Sequence, residues 1–407
     1  MVSLNLSTKR VSLFGHGSTT KPLARIIPNA VFYDDKCKEA FKDENGFLVK
    51  PSSNFDENSS DLEITSPGIP PSNPLIKRAK NLISDYDYFA DTSPLKVWIS
   101  GTNGKTTTTQ MTQHLLKDRG SVEGGNIGTP LAELDQNTAI WILESSSFTM
   151  HYTNIATPNI YALLPLSPDH LSWHGGMDEY VNDKLKPVRM MKKGDIAIIP
   201  DAYKDTPTEA KLITYQDEKD LASQFGINPQ KVKFKGAFLA DAILAMAIDK
   251  TLNDRINYEQ INSFTLDPHR QEELRDSKNR LWVNDTKATN LDATIAALKR
   301  YEDSYIHLIL GGDDKGVDLG ELFEFLKNKN LKIYNIGSNK EKLSTLAKEY
   351  KIDFEQALNL HDAVKRIDEN LKKDEVGLLS PAAASLDEFS SYAQRGNQFK
   401  EAVLHNL

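Results

Sequence analysis

Three short apolar runs, each ending in a glycine-rich turn, constrain this chain more than any other feature. Val11-Ser12-Leu13-Phe14 leads into Gly15-His16-Gly17-Ser18-Thr19-Thr20, and Val97-Trp98-Ile99-Ser100 into Gly101-Thr102-Asn103-Gly104-Lys105-Thr106-Thr107. Ile306-His307-Leu308-Ile309-Leu310 leads into Gly311-Gly312-Asp313-Asp314-Lys315-Gly316. A run too short for a helix, closed by glycines and followed by a helical pattern, reads as a buried parallel strand feeding a helix. Three such units imply an α/β protein in three domains. The 407 residues agree, because a single hydrophobic core stops growing near ~250–300 residues.

The expected division is 1–90, 91–266 and 267–407. Further strands are expected at Ala30–Tyr33, Ala139–Leu143, Ile160–Leu164, Ile196–Ile199, Leu281–Val283, Lys332–Ile336 and Val376–Leu379, with helices after Lys21, from Lys105 to about Asp118, from Ala237 to Asp249 and from Leu291. Strands alternating with helices give a mostly parallel, doubly wound sheet. The segment Ile64 to Pro71 carries three prolines and a glycine, and reads as a fixed turn rather than a strand or helix.

Composition removes several classes of function. With 57 acidic against 49 basic residues the net charge is -8, which excludes binding of nucleic acid by bulk phosphate neutralisation. Cys37 is the only cysteine, so neither an intrachain disulfide nor a thiolate metal cluster can form, as suits a reducing cytosol. No stretch approaches the ~18 apolar residues of a membrane span, and the start Met1-Val2-Ser3-Leu4 lacks a signal-like apolar core. A cytoplasmic protein is expected.

The sharpest chemical signal is Gly101 to Thr107. A strand, a glycine-rich turn and a helix start aim several backbone N–H groups at one point, where the helix dipole and the Lys105 ammonium favour an anion such as a triphosphate. Thr106 offers a hydroxyl to Mg²⁺. The glycine that usually opens such a loop is replaced by Ile99, so this is a shortened P-loop. Gly15 to Thr20 lacks the third glycine of a dinucleotide fingerprint; it either contacts phosphate or forms a plain strand-to-helix turn. Asp34 and Asp35, ending the next apolar run, are placed either to accept hydrogen bonds from a ribose or base or simply to sit at the surface. Glu144 follows an apolar strand at the carboxyl end of the sheet, where ligands of open α/β sheets collect. Asp169-His170 ends another strand, and Lys184 lies fourteen residues on. Asn284 to Asn290 is a polar segment after a strand, and Ser380 to Asp387 follows the last strand; the bland reading of the first, and of Ser385 to Asp387 in the second, is a helix cap.

Together these motifs resemble the Mur ligases, the ATP-dependent amide-bond-forming enzymes of peptidoglycan precursor synthesis. Gly101-Thr-Asn-Gly-Lys-Thr-Thr107 is similar to the family's P-loop, Gly125-Asn126-Ile127-Gly128 to its next substrate loop, and Glu144-Ser-Ser-Ser-Phe148 and Asp169-His170 to its metal sites. Within the family, Asn284-Asp-Thr-Lys-Ala-Thr-Asn290, Ser380-Pro-Ala-Ala-Ala-Ser-Leu-Asp387 with Arg395-Gly396, and Ser66-Pro67-Gly68-Ile69 look like the member that adds D-glutamate to UDP-N-acetylmuramoyl-L-alanine. The resemblance implies Rossmann-like outer domains around a P-loop ATPase-like central one.

It also implies roles. Gly101, Thr102, Asn103, Gly104, Lys105, Thr106 and Thr107 hold the ATP phosphates; Arg270, Asp285 and Lys287 reach the nucleotide. Thr106 and Glu144 hold a first Mg²⁺, His170 and a carbamylated Lys184 a second, with Lys105, His170 and Lys184 as the catalytic set. Tyr180, four residues before Lys184, fits the pattern. Gly15, His16, Gly17, Ser18, Thr19, Asp34, Asp35, Ser66, Pro67, Gly68 and Asn126 bind the UDP substrate, and Thr289, Lys315, Ser385, Leu386 and Tyr392 bind D-glutamate. The partners implied are small molecules acting on a monomer. The chain departs from the family at Gly236-Ala-Phe-Leu-Ala-Asp-Ala242, which lacks the usual adenosine-contacting His and Asn, and Tyr392 replaces a frequent phenylalanine. Competing readings are a sister ligase of the same superfamily, such as folylpolyglutamate synthase, and a nucleotide-binding protein that has lost catalysis.

Overall fold

The computed structural model describes residues 9–126, 128–314 and 316–405. They form two compact units: one holds the residues up to Phe234 together with Phe238–Phe264, the other Lys235–Ala237 and the residues from Thr265 on. The first unit contains two six-stranded sheets and the second contains one.

In the first sheet the strands are β1 (Val11–Phe14), β2 (Val31–Asp34), β3 (Phe41–Lys42), β4 (Leu48–Pro51), β5 (Leu62–Thr65) and β6 (Leu82–Ile83), ordered β3-β4-β2-β1-β5-β6. The second has β7 (Leu95–Ser100), β8 (Ser121–Gly125), β9 (Ile140–Glu144), β10 (Ile160–Leu163), β11 (Ile196–Pro200) and β12 (Lys211–Tyr215), ordered β12-β11-β10-β7-β9-β8, every pairing parallel. The third has β13 (Glu272–Arg275), β14 (Leu281–Asn284), β15 (Ile306–Gly311), β16 (Leu331–Ile336), β17 (Phe354–Gln356) and β18 (Val376–Leu379), ordered β13-β14-β18-β15-β16-β17 with only β13 antiparallel. The mostly parallel α/β architecture expected from the sequence is present in all three.

The apolar runs form the central strands because both of their faces are covered. Leu308 and Leu310 of β15 enter one buried cluster with Val283, while Ile309 enters another with Trp282 and Tyr334. Residues alternate between faces along a strand, and both faces of β15 are packed with apolar side chains, its one polar residue, His307, being buried on hydrogen bonds to Tyr334 and Glu375. The same logic packs Leu13, Phe32 and Ile64 of the first sheet with Trp98, Trp141 and Leu163 of the second in one cluster. No helix among the described residues is long and apolar enough to cross a membrane.

Two expectations need correction. Ile64 and Thr65 are not part of a turn: they end β5, in register with Leu13 and Phe14 of β1, and the turn begins at Ser66. Ser385 to Asp387 do not cap the last helix, which starts at Tyr392; the Asp387 carboxylate accepts from the Ser338 amide at 2.8 Å.

Candidate active site

Register in the second sheet sets the height of the site. Ser100 pairs with Leu163, Ile99 with Glu144, and Glu144 with Gly125, so four strands end level with one another. The Gly101–Gly104 turn leaves this edge and enters the helix Lys105–Leu116. Gly101 has φ +143°, and a Cβ there would lie 2.5 Å from the Leu164 Cβ; Gly104 has φ +80°, and a Cβ would lie 2.2 Å from Asp241 Oδ1. Both glycines are therefore demanded by backbone and by neighbours. Lys105 Nζ donates to the carbonyls of Gly101 (3.0 Å) and Thr102 (2.7 Å), which holds the ammonium over the loop.

Glu144 is 2% exposed and joins two elements. Thr106 Oγ donates to its Oε2 at 2.8 Å, and Asn126 Nδ2 donates to its Oε1 at 2.9 Å. A hydroxyl and a carboxylate oxygen in contact beside an anion-cradling loop form a hard-oxygen set that fits Mg²⁺. Lys184 is 1% exposed, and its Nζ donates to Ser100 Oγ and the Gly101 carbonyl, both at 3.0 Å. Burial first, and then the nearby Lys105 charge, hold it well below the usual lysine range. Tyr180 precedes it by one turn of the helix Met177–Met190 and shares a hydrogen bond of 2.8 Å with Thr102 Oγ, so one helix face presses on both ends of the Ser100–Thr102 segment. An amine is no ligand for a hard cation, so Lys184 fits a metal only as a carbamate. His170 sits outside β10 at φ +53°, its side chain 47% exposed, 3.5 Å from Asp169 and with its ring against Phe148. Among the described residues no three His, Cys, Asp or Glu side chains stand close enough together to form a metal site on their own.

Beside Asn126 lies a pocket of about 280 Å³. Of the residues expected to bind a UDP substrate, Ser18, Thr19, Ser66, Pro67, Gly68 and Asn126 line it. Gly15, His16, Gly17, Asp34 and Asp35 are not among the lining residues. Asp34 ties the turn after β2 to the turn after β1, accepting from the amides of Lys36 and His16 at 2.7 Å each; Asp35 accepts from Asn73 Nδ2, and His16 meets Asp43. Sequence reasoning missed Asp85, Tyr86, Phe148 and Thr149 in the wall. The Ser84-Asp85-Tyr86-Asp87 capping box was the available signal for the first two.

In the second unit the two polar segments are tied to each other. Asp285 is buried and accepts from Ser380 Oγ (2.9 Å) and the Gln271 amide (3.1 Å); burial pushes its carboxyl up to about 7. Arg395, 1% exposed, donates to Thr286 Oγ and to the Thr286 and Ala383 carbonyls. Lys287 Nζ lies 5.3 Å from the centre of the Tyr392 ring, a cation–π distance. Arg270 Nε is buried with no hydrogen-bond partner among the described residues. Ser385 is buried, while Thr289, Leu386 and Tyr392 are exposed. Lys315 and Ile127 lie outside the described residues. Asp241, in the segment that departs from the family, is buried behind the P-loop and accepts from Thr108 Oγ at 3.2 Å.

Comparison with known proteins gives a consistent result. The family profile of the Mur ligase middle domain matches residues 99–242. The chain is 56% identical to the UDP-N-acetylmuramoylalanine–D-glutamate ligase of Campylobacter jejuni subsp. jejuni, covering 97% of this chain and 99% of that protein. It is 45% identical to the ligase of the same name from Helicobacter pylori, again over 97% and 99%. Among solved structures its fold is similar to that of MurF ligase from Thermotoga maritima in complex with ADP, with a TM-score of 0.59 at 18% identity, covering 92% of this chain and 94% of that one.

Proposed function

The chain belongs to the Mur ligase family, and on that premise we propose that it joins D-glutamate to UDP-N-acetylmuramoyl-L-alanine in the cytoplasm, with ATP converted to ADP and phosphate, during peptidoglycan precursor synthesis. The observation that carries this reading is the single carboxylate of Glu144, which takes Thr106 of the nucleotide loop on one oxygen and Asn126 of the substrate pocket on the other. One buried group thereby links the phosphate donor to the pocket.

A carboxylate does not react with an amine at neutral pH, because its carbonyl carbon is shielded by negative charge. Transfer of the ATP γ-phosphoryl group to the substrate carboxylate forms an acyl phosphate and releases ADP. The neutral amine of D-glutamate attacks the carbonyl, the tetrahedral intermediate expels phosphate, and the amine loses its proton. The amides of Gly101 to Thr107 would hold the phosphates, and the Lys105 ammonium would offset charge on the group in transfer. Mg²⁺ would be held by Thr106 and Glu144, supplying further charge neutralisation. The depressed basicity of Lys184 supports a neutral amine able to take up carbon dioxide; the resulting carbamate would, with His170, offer ligands for a second ion.

The proposed division of labour is a UDP-substrate domain over 1–90, an ATP domain over 91–266 and an amino-acid domain over 267–407, in a monomeric protein. Ser18, Thr19, Ser66, Pro67, Gly68 and Asn126 bind the UDP substrate, with Gly15, His16, Gly17, Asp34 and Asp35 shaping the turns behind them. In the second unit Arg270, Asp285 and Lys287 are assigned to the nucleotide, and Thr289, Lys315, Ser385, Leu386 and Tyr392 to D-glutamate. Mixing protein, ATP, Mg²⁺, UDP-N-acetylmuramoyl-L-alanine and D-glutamate should give a product heavier by one glutamyl residue in a mass spectrum. Product with L-alanine, L-glutamate or a diamino acid but none with D-glutamate would point instead to a sister ligase.

A further inference from the structure

Two carboxylates two residues apart in the helix Asp85–Tyr88 have opposite circumstances. Asp87 accepts from the amides of Ser84, Asn154, Ile155 and Ala156. Asp85 is 6% exposed, and its Oδ1 has no hydrogen-bond partner among the described residues. Among the described residues that line the pocket it is also the only Asp, Glu, Lys, Arg or His. A buried carboxylate oxygen left unpaired is unfavourable unless a ligand supplies the donor. Burial pushes this carboxyl up to about 7.

Its position in the pocket indicates which part of a ligand it meets. The adjacent Tyr86 donates to the Glu144 carbonyl at 3.0 Å, so this end of the pocket adjoins the nucleotide loop. Ser18, Thr19 and Ser66 belong to the turns that follow β1 and β5, at the other sheet. Anionic diphosphate would be repelled by Asp85 in its ionised form, and among the described lining residues there is no cation to screen it. The other described residues of the wall, Asn126, Phe148 and Thr149 among them, carry no charge.

We infer that Asp85 is a specificity residue for the UDP substrate, accepting a hydrogen bond through Oδ1 from an uncharged N–H or O–H donor of the sugar–alanine end. The inference rests on the substrate reading given above. Asp85 orients the end that must reach the phosphoryl donor, and the nucleotide end lies away from it.

Asp85→Leu removes the acceptor at similar volume, and Asp85→Asn keeps the shape with a weaker acceptor. At pH 8, above the raised value of the Asp85 carboxyl, calorimetric Kd and steady-state KM for UDP-N-acetylmuramoyl-L-alanine should rise at least about tenfold in Asp85→Leu, the loss expected for a hydrogen bond to a charged group, and less in Asp85→Asn. The KM values for ATP and D-glutamate should stay within about twofold, as should inhibition by UDP alone, since a contact with one substrate end leaves the others' affinity intact. Unchanged substrate affinity in folded Asp85→Leu overturns the inference, and so does a loss of UDP affinity equal to the loss of substrate affinity. If Asp85→Leu fails to fold, unchanged substrate Kd in Asp85→Asn overturns it. Binding without product formation by the wild-type protein would instead count against the proposed reaction, leaving the Asp85 contact to be judged by Kd.

Discussion

Thr106 donates its hydroxyl hydrogen to Glu144 at 2.8 Å, fastening the first turn of the P-loop helix to the end of β9. The same carboxylate holds Asn126 on its other oxygen, so its charge serves both neighbours and, in the proposed reaction, a cation.

Glu144→Gln separates charge from shape. One of its terminal positions becomes an N–H₂ that faces a donor, so stability should fall by about 1–2 kcal/mol. Turnover should fall at least about tenfold, as for lost support of a metal site, with the Mg²⁺ concentration for half-maximal rate displaced upward. A magnesium titration of phosphate release checks this; an unchanged midpoint would remove Glu144 from the metal.

Lys184 gives two linked outcomes. With ¹³C-labelled bicarbonate, a carbamate resonance should appear in the wild-type protein and be missing in Lys184→Arg, whose turnover should drop at least about tenfold. The stability side has a definite sign. Because the folded pKa is depressed, the unfolded chain binds the extra proton, so the cost of burying Lys184 is fully present below the folded pKa and disappears as pH rises towards the ordinary lysine value. Lys184→Met should therefore gain melting temperature relative to wild type most at low pH, a trend followed by thermal melts from pH 6 to 10.

Asp285 has the opposite sign. Its folded pKa is about 7, above the ordinary value near ~3.9, so the native state binds the extra proton and stability falls as pH rises from about 4 to 7. Asp285→Asn should change melting temperature more favourably at pH 8 than at pH 5. Equal changes at the two pH values would show that Asp285 titrates normally.

Gly104→Ala should lose ATP binding and stability together. Positive φ alone costs about 1–2 kcal/mol for a residue with a Cβ, and the methyl would meet Asp241 Oδ1 at 2.2 Å. Adding Asp241→Gly should recover part of the stability. Gly17→Ala, whose methyl would have no heavy atom within 4 Å, should stay within about 0.5 kcal/mol of wild type. Chemical denaturation of the four proteins measures the stabilities, and calorimetric titration of Gly104→Ala with ATP measures the binding.

How far the sequence could be read depended on burial. The central strands β1, β7, β9, β10, β15 and β18 are legible as apolar runs because helices or loops cover both faces, and the P-loop is legible because its glycines precede Lys105 and two threonines. Edge strands carry no such pattern. Glu272-Glu273-Leu274-Arg275 forms β13 through antiparallel pairing with β14, a tertiary cause that leaves no local periodicity. Leu62–Thr65 was hidden because half of it lies in the proline-rich segment, although it lies beside β1. Asp34 stands at a strand end as the sequence places it, but that its oxygens accept from the His16 amide in the turn after β1 and from the Lys36 amide two residues on is a tertiary fact with no local signature. Asp85 left almost no trace beyond its capping box, since an unpaired buried oxygen is a property of three-dimensional surroundings alone.

The level ends of β8, β9, β7 and β10 have a consequence for how such a chain can vary. Glu144, Ser100 and Asn126 are placed by counting residues along paired strands, and a strand turns its side chains over with every residue. One residue gained or lost inside β9 would aim Glu144 at the wrong face and separate it from Thr106 at a stroke. Added loop length at the opposite edge of the sheet leaves that count untouched. Insertions and deletions should therefore be unevenly distributed among descendants of this sequence, collecting before the strands and sparing their final residues.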